Sequence, residues 1–194
     1  EIVRLLQTLD CHRELLEVLL EAGRSEEALA ELSAIVTLCL RSGDVEEALA
    51  TVERRVELAQ RAGGLEEALD ALKQLASLAA EEGQSERAAL AWVRAAELLR
   101  DSKLDLAQAE SALQQAWELD RQVSTAELSM ALAVRRADRE AEIDWLERTL
   151  GPITDPTRKA RAFVTLARLH LGLPSDSPQQ GIAQAPMLAP EQAE

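Results

Sequence analysis

The side chains of this sequence best placed for acid–base or metal chemistry are its paired glutamates: Glu26 with Glu27, Glu46 with Glu47, and Glu66 with Glu67. Adjacent carboxylates can share a proton or clasp a cation, which makes each pair a candidate site. Their even recurrence argues against it, because a catalytic centre needs one convergent pocket rather than spaced copies. Acids in the first turn of a helix also offset its dipole, by about 0.3 to 1 kcal/mol, and that role accounts for the pairs. His12 and His170 sit at opposite ends of the chain, with no His or Cys companions at the spacing that zinc or nucleophilic catalysis requires. Cys11 and Cys39 are 28 residues apart, lack a CxxC pattern and read as small buried hydrophobes in a reducing compartment. There is no glycine-rich phosphate loop, no GxSxG and no HExxH. The expectation is therefore no catalytic residue, no metal and no cofactor.

The elements that carry these glutamates are more informative than the glutamates themselves. One 20-residue phrase is written four times between residues 22 and 101: AGRSEEALAEL, SGDVEEALATV, AGGLEEALDAL and EGQSERAALAW. Gly23, Gly43, Gly63 and Gly83 recur at that spacing, and glycine is the residue that ends a helix in a left-handed turn. Five residues after each glycine comes a small residue, Ala28, Ala48, Ala68 or Ala88, and four places further on a large one, Leu32, Val52, Leu72 or Trp92. Spacings of four stack on one helix face, so each phrase is an amphipathic helix. Leu38, Leu58, Leu78 and Leu98, with Val36, Val56, Ala76 and Ala96 before them, extend the stripe. Such a helix cannot bury its stripe alone, and self-similarity at this period implies neighbours that supply each other's core.

The unit at residues 89 to 122, ALAWVRAAELLRDSKLDLAQAESALQQAWELDRQ, resembles the tetratricopeptide repeats, with Trp92, Ala96, Leu99, Ala109 and Ala116 at the large and small signature places. The sequence departs from that family in having no tyrosine, in placing Arg55 where an apolar residue is usual, and in a hairpin period of 40 rather than about 34. The resemblance covers roughly residues 1 to 172 and implies a TPR-like all-α fold, a right-handed α-solenoid of antiparallel helical hairpins with about nine helices.

The chain order fits that expectation. A first helix within residues 1 to 21 carries Leu15, Leu16, Val18 and Leu19 as its apolar stripe. Helices follow at about 24 to 41, 44 to 61, 64 to 81, 84 to 100, 104 to 120, 124 to 137 and 139 to 150. Asp44 with Glu47, and Ser124 with Glu127, have capping-box spacing. Gly151 and Pro152 stop the eighth helix, and Asp155 with Pro156 start a ninth that runs through Ala160, Phe163, Ala167 and Leu171. Trp92, Trp117 and Trp145 share the phase of the core leucines and are expected to pack inside. The helical repeat domain is expected at 1–173. Residues 174–194 hold four of the six prolines without periodicity and read as a disordered tail or linker.

A net charge of -14, from 35 acidic and 21 basic residues, disfavours nucleic acid and anionic membranes and favours soluble protein partners. No apolar run of about 18 residues and no leader pattern is present, so a cytoplasmic location is expected, with no membrane insertion. The missing initial methionine suggests an excised piece of a longer protein, and 18 arginines against 3 lysines hint at a GC-rich bacterial source. The leading functional expectation is an interaction scaffold that binds a peptide or subunit in a concave groove. A ligand- or partner-sensing regulatory domain is the alternative, and a helical enzyme with its site between hairpins is less favoured.

The resemblance also implies where a partner would lie. Repeat ends resembling the family's at 119 to 121 and 155 to 156 make helices one, three, five, seven and nine the inner row. Its groove-facing residues would be Arg13, Glu17, Glu53, Glu57, Gln60, Val93, Glu97, Arg100, Arg161 and Arg168. Glutamates dominate the first half and arginines the ninth helix, so a partner with a basic segment is expected against helices one, three and five.

Overall fold

Gly43 takes φ 80°, and its amide donates to the carbonyl of Leu40 while that of Asp44 reaches back to Cys39; Gly63 does the same at φ 75°. This left-handed corner reverses the chain within two or three residues. Gly23 and Gly83 make the same turn, so the helices on either side must run antiparallel. The computed structural model describes residues 2–102 and 106–172, and the regular elements there are nine α-helices with no strand. They are α1 (Ile2–Glu21), α2 (Ser25–Ser42), α3 (Val45–Ala62), α4 (Leu65–Glu81), α5 (Ser85–Ser102), α6 (Leu106–Leu119), α7 (Val123–Arg136), α8 (Arg139–Leu150) and α9 (Pro156–His170). Each packs chiefly on its neighbours in the chain, α1 on α2, α2 on α3 and so on to α8 on α9. This all-α succession of antiparallel hairpins is the architecture that the repeat resemblance implies.

The core follows the sequence phase. Ala28, Ala48, Ala68 and Ala88 are buried, and their lack of bulk lets one helix approach the next so that Leu32, Val52 and Leu72 can fill the groove. Val36, Val56, Ala76 and Ala96 are buried as well, and Leu38, Leu58, Leu78 and Leu98 pack half-buried at the margin. A fully buried leucine contributes about 1.5 to 3 kcal/mol, so this apolar seam, which runs from Leu9 to Leu132, is the main support of the stack. A smaller cluster of Leu146, Ile153, Ala162 and Leu169 holds the last two helices. Between the two, Trp117 and Trp145 are buried and meet edge to face with ring centroids 5.9 Å apart, while Trp92 packs half-buried against the first core.

Several local expectations need correction. In α1, Leu16 and Leu19 are buried, but Leu15 and Val18 are 44% and 60% exposed. In α9, Ala162 and Leu169 face the core, whereas Ala160, Phe163, Ala167 and Leu171 are all exposed. Both helices carry two apolar stripes, and among the described residues each packs chiefly on one neighbouring helix, α1 on α2 and α9 on α8, which covers only one stripe. Asp44 caps α3 by accepting from the Glu47 amide at 3.2 Å, but the Glu47 carboxylate turns away to Arg13, so the capping box is half made. Ser124 and Glu127 form no box, because α7 starts one residue earlier, at Val123, without a side-chain cap, and Glu127 pairs with Arg158. Gly151 is right-handed, leaving Pro152 to stop α8. Asp155 caps α9 as expected, accepting from the Thr157 amide at 3.0 Å with Pro156 in the first turn. The expected tail, 174–194, lies outside the described residues.

Candidate protein-interaction cleft

Helices α1 and α3, which both pack on α2, form the two walls of a cleft floored by residues of α1 and α2. Arg13, Glu14 and Glu17 of α1 form one wall, and Glu47, Ala50, Thr51 and Arg54 of α3 form the other. The two sets recur at helical spacing, so each presents one face. Leu16, Leu32 and Ile35 lie beneath, and the space enclosed is about 450 Å³. These three floor residues are 2% exposed or less, so the side chains that the cleft presents are those of its rim.

That rim is laced by ion pairs between alternate helices. Arg13 donates to Glu47 at 2.9 Å and also lies 3.6 Å from Asp10; Arg54 donates to Glu17 at 2.7 Å. The lacing continues along the odd row, where Arg87 of α5 donates to Glu53 at 2.9 Å and to Glu46 at 3.2 Å. The hydrogen bond to Glu53, ahead of the opposing cost of burial, holds the Arg87 guanidinium above its ordinary range. Glu14 is exposed on the wall beside these pairs. The cleft therefore offers three carboxylates, Glu14, Glu17 and Glu47, against two guanidinium groups.

The residues expected in the groove do not gather in one place. Arg13 and Glu17 line the cleft, and Glu53 sits on the neighbouring side of α3 facing α5. Glu57 and Gln60 are exposed further along α3, with Glu57 3.4 Å from Arg61. Val93 is half-buried against the core, so it is a packing residue. Glu97 and Arg100 line a void of about 10 Å³ with Ala109, Leu113 and Leu132, roughly the volume at which a single water begins to fit. Arg100 also pairs with Asp101 at 2.9 Å. Arg161 and Arg168 lie on α9, at the other end of the stack from the cleft. The wall residues Glu14, Glu47 and Arg54, and the brace Arg87, were outside the expected set. One signal pointed to two of them: opposite charges 34 residues apart recur, Arg13 with Glu47 and Glu53 with Arg87.

Other reactive side chains are spent on structure. His12 meets Glu31 at 2.5 Å across α1 and α2. Cys39 is fully buried, and burial, with Glu47 adding to it, pushes its thiol up and away from the reactive thiolate; Cys11, against expectation, is exposed because it shares the outer stripe of α1. Among the described residues no group of three or more His, Cys, Asp or Glu side chains is placed to hold a metal ion. Nor is any described helix long and apolar enough to cross a membrane.

No protein-family model matches the chain, and no curated protein does. Among solved structures the chain is similar to BtubC (BKLC) from P. vanneervenii, at 16% identity over 88% of this chain and 82% of that one, with a TM-score of 0.42. It is similar to the nearly identical TPR-like repeats of a putative kinesin light chain from Podosopora anserina, at 16% identity over 91% and 90% of the two chains, with a TM-score of 0.49. It is also similar to MamA from Desulfovibrio magneticus RS-1, at 17% identity over 84% and 96%, with a TM-score of 0.27.

Proposed function

We propose that this chain is a protein-interaction scaffold that seats a short peptide or subunit segment in the cleft between α1 and α3. The observation that carries this reading is the cleft itself: two helix walls, an apolar floor and a rim of charges held in place by Arg13–Glu47 and Arg54–Glu17 pairs. Exposed ion pairs of this kind are worth only about 0 to 1 kcal/mol each, so a partner can exchange into them cheaply. A Lys or Arg on the partner would sit against Glu14 and share Glu17 or Glu47, which favours a basic segment. The net charge of -14 supports protein over nucleic acid as that partner, because it repels a phosphate backbone.

The experiment is affinity capture from native lysate with mass spectrometry, followed by binding of the identified partner to charge-reversed chains. Glu14→Lys with Glu17→Lys is expected to weaken binding about tenfold, about 1.4 kcal/mol, and to flatten its salt dependence. Glu57→Lys with Glu97→Lys, away from the cleft, is expected to leave both unchanged. Equal losses from the two variants, or none from the first, would remove the cleft from the reading.

A further inference from the structure

The first and last of the described helices each leave an apolar face that no other described residue covers, where stacked repeats usually turn polar side chains to water. In α1 and the turn that follows it, Cys11, Leu15, Val18 and Ala22, spaced by four, three and four, are all exposed. They fall on one helix face, turned away from the buried Leu9, Leu16 and Leu19. Along α9 and its C-cap, Ala160, Phe163, Val164, Ala167 and Leu171 make a second exposed stripe, opposite the buried Ala162 and Leu169. Phe163, Val164 and Leu171 are 52%, 61% and 75% exposed, among the most exposed large apolar side chains of the described residues.

Charge tells the two ends apart. The α1 helix holds Asp10, Glu14, Glu17 and Glu21 against Arg4 and Arg13, and Glu14 and Glu21 border its stripe. The α9 helix holds Arg158, Lys159, Arg161 and Arg168 and no acid, and Arg161 and Arg168 border its stripe. Two copies of one end would set like charges together. An α1 end against an α9 end joins apolar to apolar and acid to base.

We infer that this chain associates head to tail with further copies of itself, the outer stripe of α1 in one copy docking on the outer stripe of α9 in the next. The contact is heterologous, so it leaves a free end at each addition and builds open chains rather than closed dimers. One helix face on another falls below the roughly 1,200 Å² of standard interfaces, so the association is weak and is read at high protein concentration.

Sedimentation velocity of the full 194-residue chain tests this with two substitutions at exposed positions, Val18→Arg and Phe163→Glu, each placing a like charge opposite its proposed partner. Circular dichroism melts are expected to match the parent, because neither side chain is in the core. The parent's average mass should rise with concentration beyond that of a dimer and fall back on adding salt. Each variant alone should stay monomeric. An equimolar mixture should give a dimer and nothing larger, because the intact α9 face of one meets the intact α1 face of the other and both remaining faces are blocked. A parent that is monomeric throughout overturns the inference, as does a variant that still dimerises alone, which would mark a symmetric contact. So does a chain ending at Gly172 that associates while the full chain does not, which would give the α9 stripe to residues 173–194.

Discussion

From Ser25 to Ser102 four helices of 17 or 18 residues use one packing solution four times, whereas from Leu106 to His170 four helices of 12 to 15 residues each use their own. In the regular half an alanine on one helix receives a leucine or valine from the next, and a left-handed glycine closes every corner. In the irregular half the shorter helices leave room that two tryptophans fill, and the core divides into smaller clusters. The contrast shows what an exact repeat confers. Identical helices need only small and medium side chains, because each groove already matches the next ridge. Once the 20-residue beat is lost, the fit is restored by large, shape-specific residues at single positions.

Trp145 is where the irregular half is easiest to break. It is 3% exposed, stacks its edge on Trp117, and carries the Arg148 guanidinium 4.4 Å from its ring centroid. Trp145→Ala is expected to cost about 3 to 5 kcal/mol in chemical denaturation, through lost burial and the cavity left behind. Hydrogen exchange should report the loss first in α8 and α9, with α2 to α5 keeping their protection, because the seam from Leu9 to Leu132 does not include this ring. Loss spread evenly over all helices would mean that the two halves fold as one unit.

The regular half is more sensitive to excess than to deficit. Ala68→Leu, at a position 1% exposed and packed with Leu29 and Ala59, adds bulk to a filled interior and is expected to cost about 1 to 3 kcal/mol. An unchanged denaturant midpoint would show that the alanine row is not the tight contact.

How much of this was legible depends on the half. Residues 22 to 101 state their packing four times over, and Ala28 through Trp92 sit where the spacing puts them. The ends were misread for one reason: Leu15, Val18 and Phe163 have core-like periodicity, but periodicity does not say whether a neighbour exists. The cleft was half legible. The expected groove set holds two of its rim residues, Arg13 and Glu17, but not Glu47 and Arg54, because the rim charges belong to two helices and pair between alternate ones. One corner was hidden as well. Ala137 and Asp138, between α7 and α8, repeat the roles of Gly43 and Asp44: Ala137 is left-handed at φ 55° and Asp138 accepts from the Ala141 amide at 3.1 Å. With alanine in the glycine place, the beat was not visible in the spelling.

That hidden corner permits the finest comparison of the two halves. A side chain at Gly63 would meet Gly63's left-handed backbone and nothing else, since a Cβ built there has no atom within 4 Å. Gly63→Ala should therefore add the conformational strain of about 1 to 2 kcal/mol, less what the unfolded chain gives up in freedom, for a net cost of about 0.5 to 1 kcal/mol. The reverse change, Ala137→Gly, removes the same strain and restores the same freedom, so it is expected to stabilise by a similar amount, about 0.5 to 1 kcal/mol. Paired urea titrations of the two single variants measure both, and the signs must be opposite. If Ala137→Gly destabilises the protein, the α7–α8 corner is not the fifth copy of the glycine turn, and the repeat ends at Gly83.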